Sequence, residues 1–270
     1  MQEEIEQYKN LPPGSVILLR ATVGSTVHGT SVAGTDDRDE MAVCIEPPAK
    51  VVGLHHFETM VYRTQPEGVR SGPGDLDLVV HTLRKFSRLA AKGNPSILLP
   101  LYVPSSAFVG KPHFYGHELR RVRSIFLSKQ VGKSFLGYLI AQKERLMGDR
   151  GQMRVTRTEL IEKYGFDTKY AGHIIRLAHQ GIELMTTGHL TLPMKREQAE
   201  EVLSVRTGGF TFQQTLTRAG DLERELRDSL DTDLLPEHPD EKAIDAFVVD
   251  AYLQMWMSGR SVKSPDGEDV

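Results

Sequence analysis

The sequence predicts an α+β protein: a small mixed sheet with flanking helices, followed by a mostly helical second part. Three observations carry this. Up to about residue 110, short runs rich in β-branched residues alternate with Gly and Pro breaks. Beyond that point Gly and Pro thin out and long amphipathic stretches take over. The 270 residues suffice for one large domain or two small ones. The expected division is 1–112 and 113–260, with a soft boundary near Lys111-Pro112 and a disordered tail over 261–270.

The elements follow in order. Ser15 to Ala21, "SVILLRA", is a short apolar run and reads as a buried strand. Gly24-Ser25 interrupts it, and residues 25–30 form a short helix ending at Gly29. Arg38 to Ile45, "RDEMAVCI", is a second strand, stopped by Pro47-Pro48. The region 51–74 is expected to hold one or two strands, over Phe57 to Tyr62, and the flexible loop "QPEGVRSGPG". Asp75 to Val80 is the next strand, and Thr82 starts a helix. Its apolar positions Leu83, Phe86, Leu89 and Ala90 repeat at helical spacing until Gly93-Asn94-Pro95 stops it, with Asn94 capping or turning the chain after Gly93. Ser96 to Leu101 continues helically, and amphipathic stretches then run to the "EKAIDAFVVDAYLQMWMSG" segment.

Composition excludes several classes. The formal net charge of -3 gives no global field for nucleic acid or anionic lipid. A single cysteine, Cys44, excludes an internal disulfide framework and a cysteine zinc site. No apolar run reaches membrane-spanning length, and the acidic start "MQEEIEQYKN" is no secretory signal. A cytoplasmic protein with no membrane partner is expected. Oligomeric state is not legible.

The chemistry concentrates in "VGSTVHGTSVAGTDDRDEMAV", where Asp36, Asp37, Asp39 and Glu40 fall within five residues. Asp37 and Asp39 are two apart on a predicted strand, so they share a face. Two carboxylates aimed together disfavour joint ionisation, and a divalent cation removes that penalty. Mg²⁺ takes oxygen ligands, commonly one or two carboxylates plus substrate phosphates. A third acid on a neighbouring strand completes a two-metal site for displacement at phosphorus, and either Asp75 or Asp77 can supply it. Gly24-Ser25, at a strand-to-helix turn, suits close approach of a phosphate to backbone N–H groups.

This order of parts resembles the DNA polymerase β-type nucleotidyltransferase superfamily, whose core is Gly-Ser, a short helix, then Asp-x-Asp. "DLVVHTLRKFSRLAAKGNPSILLPLYVPS", "FLSKQVGKSFLGY" and "YGFDTKYAGHIIRL" are similar to a narrower family of predicted nucleotidyltransferases, the RNA-repair-pathway polymerase-β-like proteins. The resemblance spans about residues 15 to 190. It implies that Asp37 and Asp39 are the metal pair, that Asp77 is the third carboxylate, and that two Mg²⁺ ions, or Mn²⁺, are the cofactor. It also implies transfer of a nucleoside monophosphate from an NTP, with Gly24 and Ser25 on the β/γ-phosphates and an RNA or tRNA end as acceptor. Two positions depart from the pattern: Asp36, where Ser or Thr is common, and Glu40, where an apolar residue is common. Both add negative charge that bears on metal and triphosphate binding.

Lys169, His173 and Arg176 share one face of a predicted helix at i, i+4 and i+7. Either they reach across a cleft to the nucleotide, or they form a solvated basic face. His28 reads as a polar wall residue, His55-His56 as loop, and Trp256 as core or interface. A second class of function remains: "TRTELIEKYGFDTKYAGHIIRLAHQ" followed by "HLTLP" reads as helix, turn, helix and strand. That is close to a winged helix-turn-helix attached to a degenerate nucleotide site. The acidic net charge and the apolar second helix argue against it.

Overall fold

The computed structural model describes residues 6–34, 36–148 and 157–258. Four strands form one mixed sheet in the order β1-β2-β4-β3: β1 (Val16–Thr22), β2 (Arg38–Ile45), β3 (Thr59–Arg63) and β4 (Leu76–Thr82). β1 runs antiparallel to β2, β2 parallel to β4, and β3 antiparallel to β4. The short helix α1 (Gly24–His28) joins β1 to β2. This is the α+β architecture that the sequence predicts, and each predicted strand falls within two residues of its expected start or end.

The two faces of the sheet follow from side-chain alternation. On β2, Met41, Val43 and Ile45 join the large apolar core beneath the helices. Ala42 and Cys44 point the other way, into a smaller cluster with Met60, Leu76, Leu78 and Val80. Asp39 is in phase with Met41 and therefore belongs to the helix-covered face; Glu40 belongs to the other.

Two helices follow β4. In α2 (Leu83–Ala91) the Thr82 side chain accepts from the Lys85 N–H, and in α3 (Pro95–Tyr102) Asn94 accepts from the Ser96 and Ile97 N–H groups. Both caps are where the sequence puts them. The second part adds α4 (Phe114–Arg121), α5 (Lys129–Met147), α6 (Thr158–Tyr164), α7 (Thr168–Thr187), α8 (Arg196–Arg206), α9 (Phe212–Ser229) and α10 (Glu241–Ser258). Helix α7 is the hub. Ile174, Ile175, Leu177 and Ala178 are almost completely buried, and α7 packs on α5, α8 and α9. One apolar cluster runs from Met41 and Phe86 through Phe135 and Ile174 to Leu226, so the core is continuous across both parts.

Helix α10 turns back to the sheet. The Tyr252 hydroxyl donates to Glu46 Oε2 at 2.6 Å, and the Trp256 indole N–H donates to the Glu46 carbonyl at 3.0 Å. Glu46 is completely buried. Burial holds its carboxyl above the usual range, opposed by the Tyr252 hydrogen bond. The expected tail over 261–270 lies outside the described residues.

The winged helix-turn-helix reading does not fit this fold. The expected wing, His189 to Pro193, is not a strand. It pairs with no strand among the described residues; instead the Thr191 N–H and hydroxyl donate to the Glu183 carboxylate at 3.0 and 2.7 Å. The would-be recognition helix α7 is sunk in the core, and Arg176 with it.

Candidate metal and nucleotide site

The parallel register of β2 and β4 sets Asp39 directly opposite Asp77. Asp37, one turn of the pleat earlier, lies on the same side. Ligand oxygens of Asp37, Asp39 and Asp77 all lie within 4.8 Å of one another. Asp75 is elsewhere: its carboxylate accepts from the Thr64 hydroxyl and the Gly72 N–H at the base of the β3–β4 loop. Of the two acids open in the sequence, Asp77 is the one in the cluster.

Burial pushes the Asp39 carboxyl up to about 6, with repulsion from Asp37 and Asp77 adding to it. A cluster that resists its own ionisation, built only of carboxylate oxygens, suits a hard divalent cation. Gly24 makes the closeness of α1 to this cluster tenable. Its φ is +66°, and a Cβ there would sit 2.0 Å from Asp39 Oδ2. Ser25 follows in the same wall, its hydroxyl oxygen within 3.3 Å of the Ser31 hydroxyl.

The other two acids of the sequence cluster are already paired. Asp36 accepts from Arg206 Nη2 at 2.8 and 3.0 Å and from the Val32 N–H at 2.9 Å, and Lys169 Nζ lies 2.9 Å away. Burial acts to raise its pKa, but Arg206 and Lys169 outweigh it and hold the carboxyl well below the usual range. Glu40, on the opposite face of the sheet, is paired with Arg20 at 2.5 Å and Arg38 at 3.1 Å. The two departures from the superfamily pattern therefore lie outside the metal cluster. One ties the sheet to the helical part, and the other closes the far face.

The cleft above the acids has a volume of about 380 Å³ and is lined by Gly24, Ser25, Asp39, Asp77, Lys169 and Arg176, among others. Arg176 differs from the other cations of its wall. Lys169 and Arg206 are both matched to Asp36, whereas Arg176 is buried with no carboxylate partner among the described residues. Its Nη1 donates to Gln180 Oε1 at 2.7 Å and faces His28 Nε2 at 2.9 Å; its Nη2 faces His173 Nδ1 at 2.7 Å. Gln180 Nε2 in turn faces His28 Nδ1 at 3.1 Å. Burial, then the charge of Arg176, holds both imidazoles well below 6.5, so both are neutral. A neutral imidazole accepts at one nitrogen only. Both nitrogens of His28 face donors, so one contact in the His28, Arg176, Gln180 triangle sets N–H against N–H. Turning the Gln180 amide only moves the conflict to Arg176. An anion that drew Arg176 away would resolve it. The basic face expected from spacing is thus not a solvated one: His173 and Arg176 are turned into the cleft.

Arg206, Gln180, Arg20 and the loop residues Gln65 and Ser71 escape a local reading. Only Arg20 carries a signal, as a charge inside an apolar strand that must find a partner.

A family model for RlaP, the RNA repair pathway DNA polymerase beta family, matches residues 1–250. The chain belongs to this family. Among solved structures, the fold overlaps a nucleotidyltransferase-like protein from Exiguobacterium sibiricum 255-15 over 96% of this chain and 79% of that one, at 12% identity and a TM-score of 0.32. That overlap is too loose for any conclusion to rest on it. No curated protein matches the sequence. Membership of the RNA repair pathway DNA polymerase beta family agrees with the resemblance read from the Gly-Ser and Asp-x-Asp pattern, and the acidic triad fits the metal site of a nucleotidyltransferase. No helix of the described residues is long and apolar enough to cross a membrane.

Proposed function

We propose that this protein is a Mg²⁺-dependent nucleotidyltransferase that moves a nucleoside monophosphate from an NTP to an acceptor hydroxyl, with an RNA end such as that of tRNA as acceptor. The observation that carries this is the convergence of Asp37, Asp39 and Asp77, with Asp39 held up to about 6 in that company. Asp37 and Asp39 would hold the metal shared with the triphosphate, and Asp77 the one near the acceptor. Mn²⁺ is the alternative ion. When bound, the ions supply Lewis-acid stabilisation of the charge that develops at the α-phosphorus.

The chain's own residues do the rest. Gly24 lets the backbone of α1 come close to Asp39, which places Ser25 at the cleft for the β/γ-phosphates. Arg176 supplies a guanidinium whose charge no carboxylate among the described residues pairs, with His173 against it and Lys169 at the rim. The division of labour follows the halves of the chain: residues 1–112 carry the acids, and residues 113–260 supply the cationic wall. A cytoplasmic site of action fits NTP and RNA as substrates.

The test is incubation with each labelled NTP, Mg²⁺ and total RNA, with ATP first. Labelled RNA from the wild type but not from Asp37→Asn is expected. Absence of both labelled RNA and pyrophosphate with every NTP, from folded protein, would sink the reading.

A further inference from the structure

The loop between β3 and β4 places a hydroxyl on the third carboxylate. Ser71 Oγ donates to Asp77 Oδ2 at 2.8 Å, and Gln65 Nε2 donates to Asp77 Oδ1 at 2.9 Å. The same Gln65 nitrogen donates to Ser71 Oγ. These contacts fix the direction of the serine proton. Gln65 turns its amide nitrogen, which can only donate, towards Asp77. That nitrogen also donates to Ser71, so the serine oxygen accepts from Gln65 and its own hydrogen points at Asp77 Oδ2.

A hydroxyl within hydrogen-bond reach of a carboxylate, with its hydrogen directed at that carboxylate, is the ground-state arrangement of a nucleophile and its base. Here it stands at the edge of the three-acid cluster. The base of the loop is tied separately through Asp75, which bonds Thr64 and Gly72. Its far end is held to the helical part by the exposed pair of Arg70 and Glu159 at 2.8 Å, a contact of little energetic weight. Gln65 Oε1 is buried without a hydrogen-bond partner among the described residues, so the network around Ser71 is not fully satisfied.

We propose that Ser71 is an internal acceptor, so that the protein nucleotidylates its own β3–β4 loop. This rests on the nucleotidyltransferase reading above. Ser71 Oγ forms a bond to the α-phosphorus of the NTP. The bond from that phosphorus to the oxygen bridging to the β-phosphate breaks, and its electron pair leaves with pyrophosphate. The serine proton passes to Asp77 and on to solvent. Nothing is oxidised or reduced, and the product is a nucleoside monophosphate in phosphodiester linkage to Ser71. An external hydroxyl competes with Ser71 for the same place, so the loop limits its own enzyme when no acceptor is present.

The experiment uses the full chain with Mg²⁺ and each NTP, without RNA. Intact mass, peptide mapping and pyrophosphate release are followed for wild type, Ser71→Ala and Asp39→Asn. Thermal midpoints in EDTA report whether the Ser71–Asp77 hydrogen bond exists in the absence of nucleotide and metal. The expected result is a gain of one nucleoside monophosphate per chain, mapped to the Ser71 peptide and absent from both variants. Ser71→Ala should remain folded, with a midpoint in EDTA lowered by a few degrees. Pyrophosphate release, or labelling of RNA added in a parallel tube, with an unmodified Ser71 peptide would overturn the inference while leaving the nucleotidyltransferase reading intact. Modification that persists in Ser71→Ala, or a lowered midpoint with no modification, would also overturn it, the latter reducing Ser71 to a positioning residue for Asp77. No pyrophosphate from any NTP would remove both readings.

Discussion

Replacing Asp39 by Asn should stabilise the metal-free protein. Asn keeps the shape that fits beneath Gly24, whose missing Cβ leaves room for the carboxylate oxygen. It removes the charge that burial, Asp37 and Asp77 oppose. The rise from 3.8 to about 6 corresponds to roughly 3 kcal/mol of disfavoured ionisation. Solvent reaches part of this half-buried group, so about 1–3 kcal/mol is expected, or a thermal midpoint higher by roughly 3–8 °C. The pH window follows from linkage. The folded-state pKa is raised, so between about pH 4 and 6 the folded state holds more protons than the unfolded chain. The wild type loses stability as pH rises through that window, and the penalty is complete above it. The gain from Asp39→Asn should therefore be full at pH 8 and vanish near pH 4. The assay is differential scanning fluorimetry in EDTA across pH 4–8, repeated with Mg²⁺. With Mg²⁺ the wild type should rise and the variant should not. A lower midpoint for Asp39→Asn in EDTA, or a difference independent of pH, would show that Asp39 is a structural acid and refute the electrostatic account.

Asp36→Asn should do the opposite, three residues away. It leaves Arg206 without its buried partner, and a loss of about 2–4 kcal/mol in urea unfolding at pH 7 is expected; since the Asp36 pKa is depressed, the difference from wild type should shrink as pH falls below about 4. Arg176→Gln should weaken NTP binding roughly 10- to 100-fold, measured by titration of a fluorescent NTP analogue, because the only cleft cation not matched to a carboxylate among the described residues is lost. His28 and His173 have folded-state pKa values well below 6.5, so the stability they contribute is present above that pH and falls as the unfolded chain takes up protons below it. The urea midpoint should drop between pH 7 and 5, and His28→Asn should flatten that slope.

The elements were legible where a single local rule decides them. β2 starts and stops at Arg38 and Ile45 as read, because a continuous apolar run ends on two prolines. Thr82 and Asn94 announce their helices because capping is a contact within one turn. The pair Asp37 and Asp39 was legible because period two puts both on one face. What stayed hidden depends on distance along the chain. Nothing near Arg206 says that it meets Asp36, 170 residues earlier in the sequence, and spacing alone does not tell a cleft-facing Arg176 from a solvated one. The loop "QPEGVRSGPG" reads as flexible by composition, since the bonds of Gln65 and Ser71 to Asp77 require β4 to be in place first. The missing wing after α7 has the same origin. The alternating apolar look of "HLTLP" is overridden by Glu183, which takes the Thr191 N–H for itself.

The return of α10 to the sheet has a consequence for synthesis. Glu46 is made long before Tyr252, whose hydroxyl donates to one oxygen of its buried carboxylate. Asp36 likewise waits for Arg206. A nascent chain of 112 residues holds all three acids of the cluster but neither of these closures. A polypeptide stalled or truncated before α8 thus carries the acids with neither closure, and one that stops between α8 and α10 carries only that of Arg206.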